Sequence, residues 1–331
     1  MHKISFSLLF ALLLVISTGC KNDTTPSSTS TTTEQPVSLD IPRFNRDSAY
    51  TYIENQVAFG PRVPGTDAHR AAKEWMVEKL RDFGATVTEQ DFEATVYTGE
   101  RLSGTNIFAQ INPTSTQRIL LGAHWDSRPF ADSPLSQERK DEAILGADDG
   151  ASGVGVLMEL ARLLPQDTSL NIGVDIVLFD LEDYGQSQGD GWALGSQYWS
   201  ANLPYGKNKP EYGILLDMVG SKAARFAKEV YSMQYAPNVV EKVWQLAGYM
   251  GYSNYFVNQR GGQITDDHYY VNTIAKIPMI DIINQKTNTP TGFGAHWHTH
   301  DDDMDVIDKA TIRAVGKLLL EVIYREDAGI L

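Results

Sequence analysis

Five short stretches concentrate the residue types that ligate metals or move protons. They are His124-Trp-Asp126, Gly146-Ala-Asp148-Asp149-Gly150, Phe179-Asp-Leu-Glu182-Asp183-Tyr184-Gly185, Leu216-Asp217 and Trp297-His298-Thr299-His300-Asp301. Any one of them alone says little, because a single histidine is usually structural and an acidic pair usually sits on a solvated face. Their order and spacing along one chain form a much stronger signal. Carboxylates mixed with imidazoles, and no thiolate among them, describe a site that could hold a divalent cation through oxygen and nitrogen.

These residues need a scaffold that gathers them, and the hydrophobic pattern supplies one. Ala72, Trp75, Met76, Leu80 and Phe83 recur at helical spacing, with Gly84 as a stop. Segments 105–111 and 118–124 are short, apolar and strand-like. Val154, Leu157, Met158, Ala161 and Leu164 predict a helix over 151–164. Nearly continuous apolar runs at 174–179, 214–216 and 277–283 read as strands, and a helix is expected over about 308–325. Strands alternating with helices predict an α/β fold with a central, mostly parallel mixed β-sheet flanked by helices. Three of the apolar runs end in chemical residues: His124 and Asp126, then Asp180, Glu182 and Asp183, then Asp217. Ligands of open α/β sheets bind beyond the carboxyl ends of the strands, so these ends are expected to share one crevice.

The 331 residues carry a formal net charge of −14, with 42% hydrophobic residues. That balance fits a globular protein and disfavours nucleic acid or an anionic membrane surface as a partner. Residues 1–20 read as a lipoprotein signal peptide: Lys3, an apolar run from Leu8 to Ile16 too short to span a bilayer, then Ser17-Thr18-Gly19-Cys20. Cys20 would become the acylated N-terminus, and as the only cysteine it leaves the folded part without a thiol. Residues 21–42 are expected to form a tether, rich in Ser and Thr to residue 36, and 43–331 a single catalytic domain. The expected location is therefore the bacterial envelope, with a lipid anchor as the only membrane contact and the domain facing the periplasm or cell surface.

With the five stretches in hand, the sequence resembles zinc exopeptidases of the bacterial aminopeptidase type. It resembles still more closely their single-zinc relatives, the glutaminyl cyclases, which are related to animal glutaminyl-peptide cyclotransferases. Phe59-Gly-Pro-Arg-Val-Pro-Gly65 looks like the opening motif of that family, and the resemblance spans roughly residues 45–325. The family's Gly-Ala-x-Asp pattern implies that Asp149 is a metal ligand and Asp148 its variable neighbour. The resemblance further implies that Glu182 is the general base, Asp183 the next zinc ligand and His298 the last. Asp183 stands where the animal enzymes have Glu, a shorter ligand that zinc still accepts. Asp217 and one member of the Asp266-Asp267-His268 run match a hydrogen-bonded acid pair near the substrate amine, with Asp266 preferred. Trp297 matches an aromatic wall, and Trp192 is a second candidate for the substrate pocket. His124 is either a supporting residue or a ligand of a second metal, and His296 and His300 are expected to lie outside the ligand set.

The implied reaction is closure of an N-terminal glutamine of a peptide or protein to pyroglutamate with release of ammonia, using one Zn²⁺. The alternative is a two-zinc aminopeptidase, since His124, Asp149 and Asp217 are what a second ion would need. A third reading, a catalytically dead binding protein, is disfavoured by the presence of Glu182.

Overall fold

The computed structural model describes residues 39–331, except positions 187, 188, 207 and 287. Cys20 and most of the expected tether lie outside the described residues. The last four tether positions lie inside them, and there Leu39 and Ile41 pack against the hydrophobic core.

The main sheet has six strands: β1 (Thr86–Thr95), β2 (Arg101–Ile111), β3 (Arg118–His124), β4 (Gly173–Phe179), β5 (Tyr212–Asp217) and, last in the chain, β8 (Met279–Ile283). Their spatial order is β1-β2-β4-β3-β5-β8. The pairs β4/β3, β3/β5 and β5/β8 are parallel, while β1/β2 and β2/β4 are antiparallel. A separate small sheet pairs β6 (Phe226–Lys228) with β7 (Phe256–Arg260). The expected mixed, mostly parallel sheet is therefore present.

The inner strands are largely apolar because both faces are covered, and the buried charges Arg118 of β3 and Asp175 of β4 pair with each other. Along β4, Val174, Ile176 and Leu178 join one hydrophobic cluster, while Val177 and Phe179 join another on the opposite face. This is strand periodicity of two written almost entirely in hydrophobic residues, Asp175 being the exception. The first face is covered by α1 (Arg46–Ala58), α2 (Asp67–Asp82), α3 (Ala151–Leu163), α6 (Pro237–Tyr249) and α8 (Lys309–Asp327), with α5 (Val230–Tyr235) leading into α6. The second is covered by α4 (Leu194–Ala201), and by the helical stretch that begins at α7 (Asp267–Tyr270). The Asn45, Thr66 and Asp308 side chains accept first-turn amides of α1, α2 and α8, the usual satisfaction of free helix-start N–H groups. Among the described residues no helix is long and apolar enough to cross a membrane.

Parallel pairing places the carboxyl ends of β3, β4, β5 and β8 along one edge. His124 is in register with Phe179, and Asp217 with Ile283. The polar residues that follow these strands converge there.

Candidate active site

Asp149, Glu182, Asp183, Asp217, Asp266, Trp192, Trp297 and His298 all line one cavity of about 270 Å³ at this edge. Gln263, Ile264, Thr265 and Phe293 complete much of its rim. Every residue expected from the sequence at the site is thus gathered there, with His124 just behind the wall. Asp149 lies at the centre. His124 Nε2 is 3.0 Å from Asp149 Oδ1 and 3.4 Å from Asp217 Oδ1. On the other side, His298 Nε2 is 3.6 Å from Asp149 Oδ2 and 3.2 Å from Asp183 Oδ1. Three buried groups have metal-binding spacing: Asp149/Asp183/His298 and His124/Asp149/Asp217, which share Asp149, and Asp266/His268/Asp281.

The donor set fits a cation. Both Asp183 carboxylate oxygens and Asp217 Oδ1 are buried without a hydrogen-bond partner among the described residues, a costly arrangement unless something positive satisfies them. Burial raises Asp183, and neighbouring Asp149 adds to it. Burial pushes Asp217 well above the carboxylate range, with Asp149 and Asp266 reinforcing the effect. Asp149 is the exception. Burial would raise it, but the imidazoles of His124 and His298 hold it below its ordinary value. Burial works against the charged form of His298, yet Asp183 and Asp132 outweigh it and raise the imidazole to about 9. The set offers oxygen and nitrogen donors of the kind zinc takes, and a bound cation would favour the deprotonated, ligating form of each.

The choice between adjacent Asp148 and Asp149 is resolved by their partners. Asp148 is spent on structure: Oδ1 accepts from the Gly220 amide at 2.7 Å and Oδ2 sits 2.9 Å from His296 Nε2. Asp302 accepts the amides of both Asp148 and Asp149. His296 is thereby a brace, and His300 reaches only the Arg139 carbonyl. Gly150, at φ +92°, ends the loop because any Cβ there would meet the Asp126 carbonyl at 2.7 Å and His124 Cε1 at 2.9 Å.

The expected acid pair is only partly realised. Asp217 and Asp266 face the same cavity, but no hydrogen bond joins them: Asp217 turns toward His124, and Asp266 Oδ1 accepts the Asp267 amide at the start of α7. Asp266 lines the cavity, whereas Asp267 is fully buried. Glu182 is pushed well above the carboxylate range by burial; His124 pulls against this, and Asp266, Asp183 and Asp267 add repulsion. Asp126 holds it in place by accepting the amides of Glu182 and Asp183 at 3.2 and 3.1 Å.

Several supporting residues have no role assigned by the sequence. Arg62, from the opening motif, is fully buried and donates to the carbonyls of Trp125, Leu145 and Gly146, tying the exit of β3 to the Asp149 loop. Burial lowers its guanidinium to about 10. Arg128 and Asp132 come from the long loop between the first two chemical stretches, and Asp132 Oδ1 lies 3.2 Å from His298 Nδ1. Glu229 holds the loop that carries Asp266: it accepts from the amides of Tyr231, Ser232 and Ile264 and lies 3.0 Å from His268 Nε2. Apart from Arg62, which the opening motif contains, nothing in the local pattern marks these residues, because their burial is created by the tertiary fold.

Glu229 makes a measurable stability prediction. Burial alone would raise this fully buried carboxyl, but His268 and the Ser232 and Tyr231 amides hold it down at about 2. A depressed folded pKa contributes stability above the unfolded value, near 4.3, and loses it as pH falls from there through about 2. The contribution is on the order of 3 kcal/mol. In urea unfolding, the wild type is expected to exceed Glu229→Gln by about that amount at pH 6, the gap narrowing steadily below pH about 4. A gap that does not change with pH would refute the electrostatic role.

Residues 106–323 match Peptidase family M28. The Porphyromonas gingivalis glutaminyl cyclase structure is similar with a TM-score of 0.82 and 49% identity, covering 86% of this chain and 99% of that one. A Zn-dependent exopeptidase from Parabacteroides distasonis is similar with a TM-score of 0.83 and 48% identity over the same shares. Glutaminyl-peptide cyclotransferase of Drosophila melanogaster is 26% identical over 274 residues, 76% of this chain and 73% of its own length.

Proposed function

We propose, from the premise that this chain belongs to peptidase family M28, that its cavity closes N-terminal glutamine to pyroglutamate and releases ammonia. It is a glutaminyl-peptide cyclotransferase, and peptides with an N-terminal glutamine are its substrates. The observation that carries this reading is the pairing of one cavity, sized for a single side chain, with a half-buried base, Glu182, beside the Asp149/Asp183/His298 group. The close likeness to glutaminyl cyclases over nearly their whole length supports it.

Asp149, Asp183 and His298 would hold one zinc ion, which as a Lewis acid would polarise the γ-carbonyl of the glutamine. The chain's own residues do the rest. Trp192 and Trp297 form the walls for the glutamine stem, and Phe293 packs behind Trp297 at 4.9 Å between ring centroids. Asp217 and Asp266 face the substrate amine, where one proton shared among crowded carboxyls is favoured over full ionisation. Glu182 takes a proton as the α-amine attacks the γ-carboxamide carbon, then delivers it to the departing amide nitrogen. The new ring C–N bond forms, the old C–N bond breaks and ammonia leaves. The amine is already tethered to its electrophile, so the site's task is to hold a near-attack conformer dry.

The aminopeptidase reading rests on one specific observation, the His124/Asp149/Asp217 group. Incubating the chain with a glutamine-initiated peptide and following it by mass spectrometry separates the two. The expected product is the whole peptide lacking one ammonia, formed only without a chelator. Release of intact N-terminal residues would instead establish exopeptidase action. The leader ending at Cys20 supports export and lipid anchoring, with the domain facing the periplasm or cell surface; fatty-acid labelling that persists in Cys20→Ala would overturn the anchor.

A further inference from the structure

The most heavily used buried cation beside the cavity has no part in the chemistry described so far. Arg128 is fully buried. Its Nε and Nη2 grip Asp132 in a two-pronged contact at 3.1 and 2.6 Å. Its Nη1 donates to the carbonyls of Asp183 and Gly185 at 2.8 and 2.7 Å. The face of its guanidinium lies 4.7 Å from the centre of the Trp192 ring. Trp192 is stacked 6.0 Å from His298, on which Trp297 also stacks at 3.7 Å. Gly185 makes room for this arrangement, since a Cβ there would fall 2.2 Å from Trp192 Cδ2.

We propose that Arg128 is a positioning residue that locks three parts of the site at once: the His298 ligand through Asp132, the Glu182–Gly185 loop, and the Trp192 wall. The logic lies in the two nitrogens of His298. Nδ1 faces Asp132 at 3.2 Å, and Nε2 faces Asp183 and Asp149. An Nδ1–H donated to Asp132 leaves the Nε2 lone pair free for a metal, the outer-shell arrangement that fixes tautomer and ring orientation. Asp132 can do this only if it is itself held, and its side chain is 26% exposed at the cavity's flank. The fork of Arg128 supplies that hold. His298 also sits at φ +54°, a left-handed backbone unusual for a residue with a Cβ, so its ring needs an external constraint. Lysine cannot replace the fork, because one ammonium cannot grip a carboxylate in two places, reach two carbonyls and lie flat on an indole.

The inference rests on the proposed zinc triad, and two variants separate the arms. Arg128→Lys is expected to release zinc to a chelator about 10–100-fold faster than wild type. With zinc in excess, its KM for a glutamine peptide is expected to rise about threefold to tenfold as the Trp192 wall loosens. Asp132→Asn leaves Arg128 on Trp192, so it should release zinc faster with KM little changed. The double variant should release zinc no faster than the quicker single one, because both act on the same histidine. If Arg128→Lys does not fold, Asp132→Asn still tests the link to His298. A zinc-loaded wild type with variants that match it in zinc release overturns this proposal alone. A wild type that binds no zinc overturns the triad itself.

Discussion

Glu182→Gln is expected to lower kcat for cyclisation by about 10²–10⁴-fold while leaving zinc content and thermal stability unchanged. The amide keeps the shape of the side chain, and the Glu182 backbone amide keeps its bond to Asp126. What disappears is a group that both accepts a proton and returns it. Burial and the nearby Asp266, Asp183 and Asp267 push Glu182 well above the ordinary carboxylate range. That direction suits the second half of the task, since a weaker acid is a stronger base for the amine and still gives its proton to departing ammonia near neutral pH. It also fixes the sign of the pH dependence. Below its raised pKa Glu182 is protonated and cannot act as the base, so wild-type kcat/KM should fall as pH drops through that value. The residual activity of Glu182→Gln should lack this limb. Full activity in the variant, or an unchanged acid limb, would assign the base elsewhere.

The parallel core and the catalytic stretches were readable for a shared reason. Strands buried on both faces, such as β3 and β4, are apolar along most of their length, and such a run stands out. The polar residues that end them contrast sharply, and parallel pairing then places the ends together. The register of β3 against β4 is a consequence of the fold rather than of any local motif. By contrast, β1 alternates exposed and half-buried residues on an outer antiparallel strand, so little distinguished Thr86–Thr95 from a loop. α1 buries only Ala49, Ile53 and Gln56, too few for a helical stripe to show. Among the site residues, those that face the cavity carried their own chemical signature. Those behind it did not. An arginine in a loop reads as a solvated charge until Asp132, two carbonyls and Trp192 are seen to enclose Arg128. That Asp217 Oδ1 lies 3.4 Å from His124 Nε2 depends on residues of different strands and loops, which no local pattern records.

Asp149 and His124 make the sharpest test of metal number. Asp149 belongs to two of the buried groups, His124 to one. Asp149→Asn removes a charge from each and should reduce bound zinc to a trace with loss of all turnover. The nitrogen of Asn faces one imidazole where an oxygen faced it before, and the remaining pair cannot complete a tetrahedral set. His124→Ala should behave differently under the single-zinc reading. It leaves Asp149, Asp183 and His298 in place, so one equivalent of zinc should remain by elemental analysis and cyclisation should persist at a reduced rate. The reduction follows from the electrostatics. Burial opposes the charged form of His124, but its contacts with Asp126, Asp149 and Asp217 outweigh it and raise the imidazole well above its usual value. Deleting it exposes Asp149 and Asp217 to each other without an intervening cation, and Asp217 should then retain its proton more firmly. A wild type with two equivalents, falling to one in His124→Ala together with loss of peptide trimming, would place a working ion between His124 and Asp217 and return the site to aminopeptidase chemistry.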